Sequence, residues 1–103
     1  MTRTVNNPGF DPKDPAETIT LAFEFAALTD TPSSPDVTAT RHAGTADASP
    51  SAILSGSPTV SGTKILQDVI AGTAGTDYLL RCKVSAPDGS VYVLAGVLPV
   101  RTA

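Results

Sequence analysis

Alternation of apolar and polar residues is the clearest pattern along this chain, and it recurs in short blocks. It is cleanest in residues 17–26, where every second position is apolar: Ile19, Leu21, Phe23 and Phe25. The positions between them are Thr18, Thr20, Ala22 and Glu24. A period of two is that of an extended strand with one buried face. The pattern therefore predicts a core strand over residues 17–26.

A second pair of alternating blocks lies in residues 72–100. One side of the first block carries Tyr78, Leu80, Cys82, Val84 and Ala86, and the other side carries Arg81, Lys83 and Ser85. Residues 87–90, Pro-Asp-Gly-Ser, supply a turn in which Gly89 accepts a positive φ. The chain then returns with a second alternating row of Val91, Val93, Ala95 and Val97. We predict a hairpin of two strands.

The pattern in the middle of the chain predicts shorter strands separated by turns. Residues 36–43 predict a strand with no strongly apolar face, which favours an edge position. A loop over 44–50, an apolar piece over 52–54 and a turn at 56–58 follow. Residues 59–61 and 63–70 complete the set, and the apolar pair Ile65-Leu66 suits a strand with a bulge or a single helical turn, of which we favour the strand.

This spacing of about seven short strands with frequent turns predicts an all-β, immunoglobulin-like antiparallel sandwich over residues 17–103. Tyr78 follows the glycine-rich corner that contains Gly75, a position from which sandwich folds hydrogen-bond the preceding corner with a tyrosine hydroxyl. Cys82, in the buried row, is predicted to be a small apolar core residue with a raised pKa. Tyr78, Cys82, Gly75 and Gly89 are thus the predicted structural residues.

Residues 1–16 predict an extended N-terminal arm. They contain three prolines, Pro8, Pro12 and Pro15, which resist both helix and central strand. Phe10 is the arm's one large apolar residue, and an isolated aromatic residue is expected to bury itself. Two interpretations stay open: the arm folds back over its own domain, or it docks on a neighbouring protein.

Composition narrows the class of function. The chain has 103 residues, enough for one domain, and a net charge of −3. Its seven Lys and Arg residues are dispersed, which argues against nucleic-acid binding. We find no apolar run of membrane-spanning length and no secretory signal, and therefore expect a protein made in the cytoplasm that leaves it only within an assembly. With a single cysteine there is no internal disulfide.

No pattern of residues predicts a reaction. His42 is the one histidine and has no partner for a zinc site or a catalytic triad. Prolines interrupt the acidic cluster Asp11, Asp14 and Glu17, which does not match a calcium loop. Residues 56–64 and 72–75 contain glycines but match neither a phosphate loop nor a dinucleotide fingerprint. We therefore expect a protein that is not an enzyme and carries no cofactor or metal.

Residues 13–15 (KDP) are followed by 21–25 (LAFEF), and residues 72–78 (GTAGTDY) lead into 80–84 (LRCKV), with Gly89 and 97–101 (VLPVR) after them. These segments carry a resemblance to small immunoglobulin-like virion proteins of tailed bacteriophages. It spans residues 13–101, and the chain lacks the Trp that many members carry after the first strand. It implies a structural role in the virion, most simply as a capsid decoration or cement protein that binds the major capsid protein.

Two alternatives accompany that expectation. One is a component of the neck, tail or fibre attachment that forms a ring through a sheet edge, with 36–43 as its interface. The other is a weak host-surface or glycan-binding module, for which Tyr92 would be the exposed platform. For docking on other virion proteins we predict a contact element within the arm, formed by Asn6, Asn7, Pro8, Phe10, Lys13 and Asp14. Oligomerisation on the particle is compatible with each interpretation.

Overall fold

The computed structural model describes the backbone of residues 2–4 and all of residues 12–102. These residues form seven strands and one short 3-10 helix, Pro50–Ile53. The strands are β1 (Thr2–Thr4), β2 (Ile19–Glu24), β3 (Ser33–Gly44), β4 (Leu54–Ser61), β5 (Lys64–Val69), β6 (Thr76–Ser85) and β7 (Val91–Val100). The predicted all-β class is confirmed.

The strands make two sheets that pack face to face. One sheet has the order β1-β2-β5-β4 and the other the order β3-β6-β7. All neighbours are antiparallel except β1, which runs parallel to β2. This four-plus-three arrangement, in which the chain crosses between sheets after β2, β3 and β5, is the strand order of an immunoglobulin-like sandwich.

Alternation in the sequence produced the core as expected. Along β2 the side chains of Ile19, Leu21 and Phe23 are buried, and along β6 those of Tyr78, Leu80, Cys82 and Val84 are buried. Strand β2 lies between β1 and β5, and it faces the β3-β6-β7 sheet across the core. Its predicted position as a core strand is confirmed.

The inward face of β7 contains Tyr92, which we predicted as an exposed platform. Strand β7 pairs with β6 without a register shift, and Leu94 lies opposite the inward-facing Cys82. Because directly opposed residues share a face of the sheet, the even-numbered positions of β7 point inward. Leu98 and Val100 are buried, and Tyr92 packs half-buried against the core. The row of Val91, Val93, Ala95 and Val97 therefore points outward, and Tyr92 is not an exposed platform.

The segment between β3 and β5 departs from the predicted turns. Residues 56–58 are not a turn but the interior of β4, where the pairing with β5 shifts between Ser55 and Thr59. Gly56 has a φ of 72° in this irregularity. Residues 50–53 form the 3-10 helix, which buries Ile53. The strand favoured for residues 63–70 is confirmed as β5, with Ile65 buried.

Strand β3 lies at the edge of its sheet, as its weak apolar pattern predicted. It begins three residues earlier than residue 36, and its pairing with β6 is irregular at two places, between Ser33 and Asp36 and between Arg41 and Ala43. Of its residues only Val37 and Ala39 are buried. The bulges and the low number of inward apolar side chains are typical of an edge strand.

Candidate interaction surface

The tyrosine at the start of β6 anchors one end of the sandwich. The Tyr78 hydroxyl accepts a hydrogen bond from the Thr73 backbone N–H at 2.8 Å. It donates a second bond to Asp47 Oδ2 at 2.6 Å. The bond from the Tyr78 hydroxyl is the largest cause that lowers the pKa of the Asp47 carboxyl, and the bond from the Ser49 backbone N–H is the next. Tyr78 thus connects the corner before β6 to the loop after β3, which is the role of a tyrosine corner.

The glycines predicted to be structural occupy tight backbone positions. Gly75 has a φ of 85°, and its N–H donates to the Val100 carbonyl at 2.8 Å. A side chain there would meet Thr45 Oγ1, because an added Cβ would lie 2.9 Å from it. Gly89 has a φ of 89° in the β6–β7 turn, where its N–H bonds the Ala86 carbonyl. Both positions favour glycine, since its backbone reaches positive φ without strain.

Lys13 belongs to the sandwich and not to an exposed arm. Its side chain is fully buried, and Nζ donates to the carbonyls of Ala71 at 2.6 Å and of Asp14 at 2.9 Å. Its backbone joins the end of β7: Lys13 N–H bonds the Pro99 carbonyl, and the Arg101 N–H bonds the Lys13 carbonyl. A buried ammonium ion is stable only with such partners. We predicted Lys13 as a partner contact, but its ammonium group is held inside the domain.

The other predicted contact residues divide into two groups. Asp14 is half-buried, and its Oδ1 accepts a hydrogen bond from the Ala16 N–H at 2.8 Å, while its own N–H donates to Glu17 Oε1. It therefore caps a local turn beside Lys13. Asn6, Asn7, Pro8 and Phe10 lie outside the described residues, and their role as a contact element stays a prediction.

Cys82 is a core residue. Its side chain is fully buried in the row of β6. Burial, with a smaller contribution from the negative charge of Asp36, raises the pKa of the Cys82 thiol to about 12. A thiol with this pKa carries almost no thiolate at neutral pH, and the thiolate is the reactive form. The arrangement suits packing and opposes nucleophilic chemistry.

Strand β7 carries two of the four large apolar side chains that are exposed in the described part of the chain. Val91 is 54% exposed and Val93 is 39% exposed. Ala95 is exposed as well, and Val97 is half-buried. Among the described strands β7 is also an edge of its sheet, and no other described strand pairs with the outward backbone groups of these four residues. We call Val91, Val93, Ala95 and Val97 the outer row of β7.

A shallow cleft adjoins the outer row. It has a volume of about 150 Å³ and is lined by Asp36, Thr38, Arg81, Lys83 and Val93. The register places Lys83 between Asp36 on β3 and Val93 on β7, and Arg81 between Thr38 and Ala95. Two cations on a chain of net charge −3 thus lie next to an apolar strip. Such a face offers a partner both apolar contact and charge pairing.

Sequence reasoning missed this surface because β7 has apolar residues at both its odd-numbered and its even-numbered positions. Its sequence, VYVLAGVLPV, offers an apolar residue for either face, so periodicity alone does not tell which row is buried. The available signal was the hairpin register: the short turn at 87–90 places Ser85 opposite Val91. Since Ser85 lies in the polar row of β6, Val91 and the residues at its parity face outward with it.

Two other kinds of site are missing from the described part of the chain. Within residues 12–102 no group of three or more His, Cys, Asp or Glu side chains could hold a metal ion. No helix among the described residues is long and apolar enough to cross a membrane.

The chain was compared with known proteins: no family model, no curated protein and no solved structure matches it.

Proposed function

We propose that this protein is a non-enzymatic structural protein of a tailed-bacteriophage virion, a capsid decoration or cement protein that binds the major capsid protein. The observation that carries the proposal is the outer row of β7: an immunoglobulin-like sandwich presents an uncharged apolar strip along an open edge, where a protein partner can bind. The resemblance of residues 13–101 to virion proteins supplies the class of partner.

The internal side chains support a role without chemistry. The hydroxyl of Tyr78, the ammonium group of Lys13 and the thiol of Cys82 are each used inside the fold. A catalytic group must reach a substrate with its reactive atom. These three groups instead stabilise the sandwich, and what the described surface offers is apolar contact, backbone hydrogen bonds and a few charges.

Capsid binding is tested with purified protein and phage particles that lack it. We expect the protein to co-sediment with the particles and to saturate at a fixed ratio to the capsid subunit. Phe10→Ala is the variant for the arm, because it removes the arm's one aromatic side chain. Truncating a central aromatic contact weakens an interface by about 2 kcal/mol or more, which is roughly thirtyfold in affinity.

The matched control is Leu28→Ala, which removes another exposed apolar side chain, 42% exposed, in the turn after β2. This variant is expected to bind like the unaltered protein. Equal binding by Phe10→Ala would move the contact from the arm to the sandwich. Failure of the unaltered protein to bind the particles would overturn the decoration proposal itself.

A neck, tail or fibre component is the second candidate, and the position of β3 favours it. Strands β3 and β7 are the two edges of one sheet, so pairing β3 of one copy with β7 of the next would continue the sheet from subunit to subunit. Such a head-to-tail contact closes into a ring when the rotation permits. A stable ring of purified protein in electron micrographs would favour this candidate over capsid decoration.

Glycan binding is the weakest of the three candidates. It depended on Tyr92 as an exposed stacking platform, and Tyr92 packs half-buried against the core. Glycan arrays test it directly: binding that Tyr92→Ala abolishes, with the fold intact, would restore this candidate.

A further inference from the structure

Within the described part of the chain, β7 has a pairing partner on its outer edge only at its carboxyl end. At its carboxyl end the Pro99 carbonyl accepts a hydrogen bond from Lys13, on the side away from β6. Successive residues of a strand direct their backbone groups to opposite sides, so Val91, Val93, Ala95 and Val97 direct theirs to that same side. Among the described residues no strand pairs with β7 there between Val91 and Val97.

Two of the other edge strands, β3 and β4, carry features that weaken edge-to-edge pairing. Strand β3 contains Pro35, Asp36 and two register shifts, and β4 contains Pro58 and one shift. Proline, charge and bulges are the usual means of preventing edge-to-edge association. From Val91 to Val97 the β7 edge has no proline, no charged residue and no bulge.

We propose that the β7 edge pairs antiparallel with β7 of a second copy of this chain, across a two-fold axis at Leu94. In this register Val91 lies opposite the second copy's Val97, and Val93 opposite its Ala95. The outward N–H and C=O groups of all four residues are then paired. The two three-stranded sheets become one continuous sheet.

A second copy of β7 is a better pairing partner for this edge than a strand with charged side chains would be. Every cross-strand pair on the outer face is apolar, so the outer row of each copy gains apolar neighbours on the other copy. The nearest cations, Arg81 and Lys83, lie on β6. Across the axis they are separated by three strand spacings, about 14 Å, which exceeds the screening length of about 8–10 Å at ordinary ionic strength. Repulsion between them is therefore small.

The inner side of the strand supports the same register. Leu94 and Tyr92 are both half-buried against the core at the rim of the sandwich. Around the axis Leu94 lies opposite its own counterpart, and Tyr92 lies opposite Gly96, which has no side chain to obstruct the ring. Pairing thus covers apolar surface that one sandwich alone leaves partly open.

Sedimentation velocity over about 5 to 500 µM tests the pairing, a range suited to the weak affinity of a small interface. We expect the sedimentation coefficient to rise toward that of a dimer. Ala95→Pro removes an outward N–H at the centre of the edge and, like Pro99, leaves the pairing with β6 intact. It is expected to remain monomeric. A monomer throughout the range, or a dimer that Ala95→Pro does not weaken, overturns the proposal.

A cross-link tests the register independently of the proline variant. The test uses a Cys82→Ala background, because Cys82 lies opposite position 94 on β6 and could form a disulfide within one chain. In this background Leu94→Cys would place the thiols of two copies opposite each other at a Cα separation of about 4.5 Å, within the range of a disulfide. Under mild oxidation it should form a covalent dimer much faster than Val60→Cys, the control at an exposed position on β4. Equal rates for the two variants would exclude pairing about Leu94. Neither result depends on capsid binding, so this inference and the proposed function fail separately.

Discussion

At the scale of single residues, this sandwich uses its most reactive side chains as internal supports. Tyr78 and Lys13 hydrogen-bond neighbouring loops, and Cys82 fills the core. Each of these groups costs free energy to bury unless it is bonded or neutral. None of the buried side-chain N and O atoms in the described residues lacks a hydrogen-bond partner. The residues are therefore best tested through stability.

Cys82 should make the protein less stable in alkaline solution. The pKa of the Cys82 thiol is 9.0 in the unfolded chain, and burial raises it to about 12 in the folded protein. Between these values the unfolded state releases a proton that the folded state keeps, so the stability present below pH 9 decreases as the pH rises. Urea unfolding at about pH 8 and about pH 10.5 measures the decrease.

The control for this prediction is Cys82→Ala, which retains every other titrating group. The variant is less stable at both pH values because it leaves a small cavity. Its loss of stability between the two pH values should nevertheless be smaller than that of the unaltered protein. Parallel pH profiles for the two proteins would show that the thiol does not stay protonated in the folded state.

Lys13→Met tests the buried ammonium group. The methionine keeps an apolar stem of similar length, but the carbonyls of Ala71 and Asp14 lose the Nζ donor. We expect the free energy of unfolding to fall by about 1–3 kcal/mol, the usual cost of leaving buried groups unpaired. The matched control Lys64→Met alters an exposed lysine on β5 and should change stability by less than about 0.5 kcal/mol. Equal effects would contradict the structural role of Lys13.

At the scale of strands and turns, the sequence correctly predicted the strands in which only every second residue is strongly apolar. Strand β6 alternates buried and more exposed residues, and in β2 the predicted row is buried together with Ala22 from the other face. The positions and inward faces predicted for both strands were correct. Strand β3 was correctly placed at an edge because neither of its faces is strongly apolar.

Elements without a unique periodic pattern were the ones predicted incorrectly. Strand β7 is apolar at both parities, and its faces follow from pairing with β6, a long-range contact that local periodicity does not contain. The segment 56–58 has the composition of a turn, yet its pairing with β5 keeps it extended. The burial of Lys13 was equally hidden, because the residues that accept its hydrogen bonds include Ala71, far along the chain.

Two glycines separate the cost of backbone strain from that of close packing. Gly44 and Gly89 have nearly the same φ, 85° and 89°. At Gly44 an added Cβ would clash with the Gly75 carbonyl oxygen, whereas at Gly89 it would meet nothing within 4 Å. We expect Gly89→Ala to cost about 1–2 kcal/mol from φ alone. Gly44→Ala should cost about 2–5 kcal/mol, because overpacking adds to the same strain.

Chemical denaturation of the two alanine variants provides the measurement. A result in which they lose equal stability would mean that the loop containing Gly75 moves aside readily. The close approach of β3 to the corner before Tyr78 would then not be a fixed part of the sandwich.

At the scale of the whole molecule, one domain combines a closed core with unequal edges. Strands β3 and β4 carry proline, charge or bulges, while β7 carries an uncharged apolar row beside open backbone groups. A domain built this way is suited to association with protein surfaces, whether another copy or a shell of capsid subunits. The proposed role in a virion and the proposed pairing through β7 both follow from this asymmetry, but they concern different partners.

The central proposal, a structural role in a tailed-bacteriophage virion, is tested most directly by the copy number of the protein in purified particles of the proposed phage. Quantitative mass spectrometry measures this copy number as a ratio to the major capsid protein. Decoration predicts about one copy per capsid subunit or a simple fixed fraction of that ratio, as the symmetry of a shell requires. A few copies per particle would place the protein at the neck, tail or fibres. Its absence from the particles would contradict a structural role in the virion.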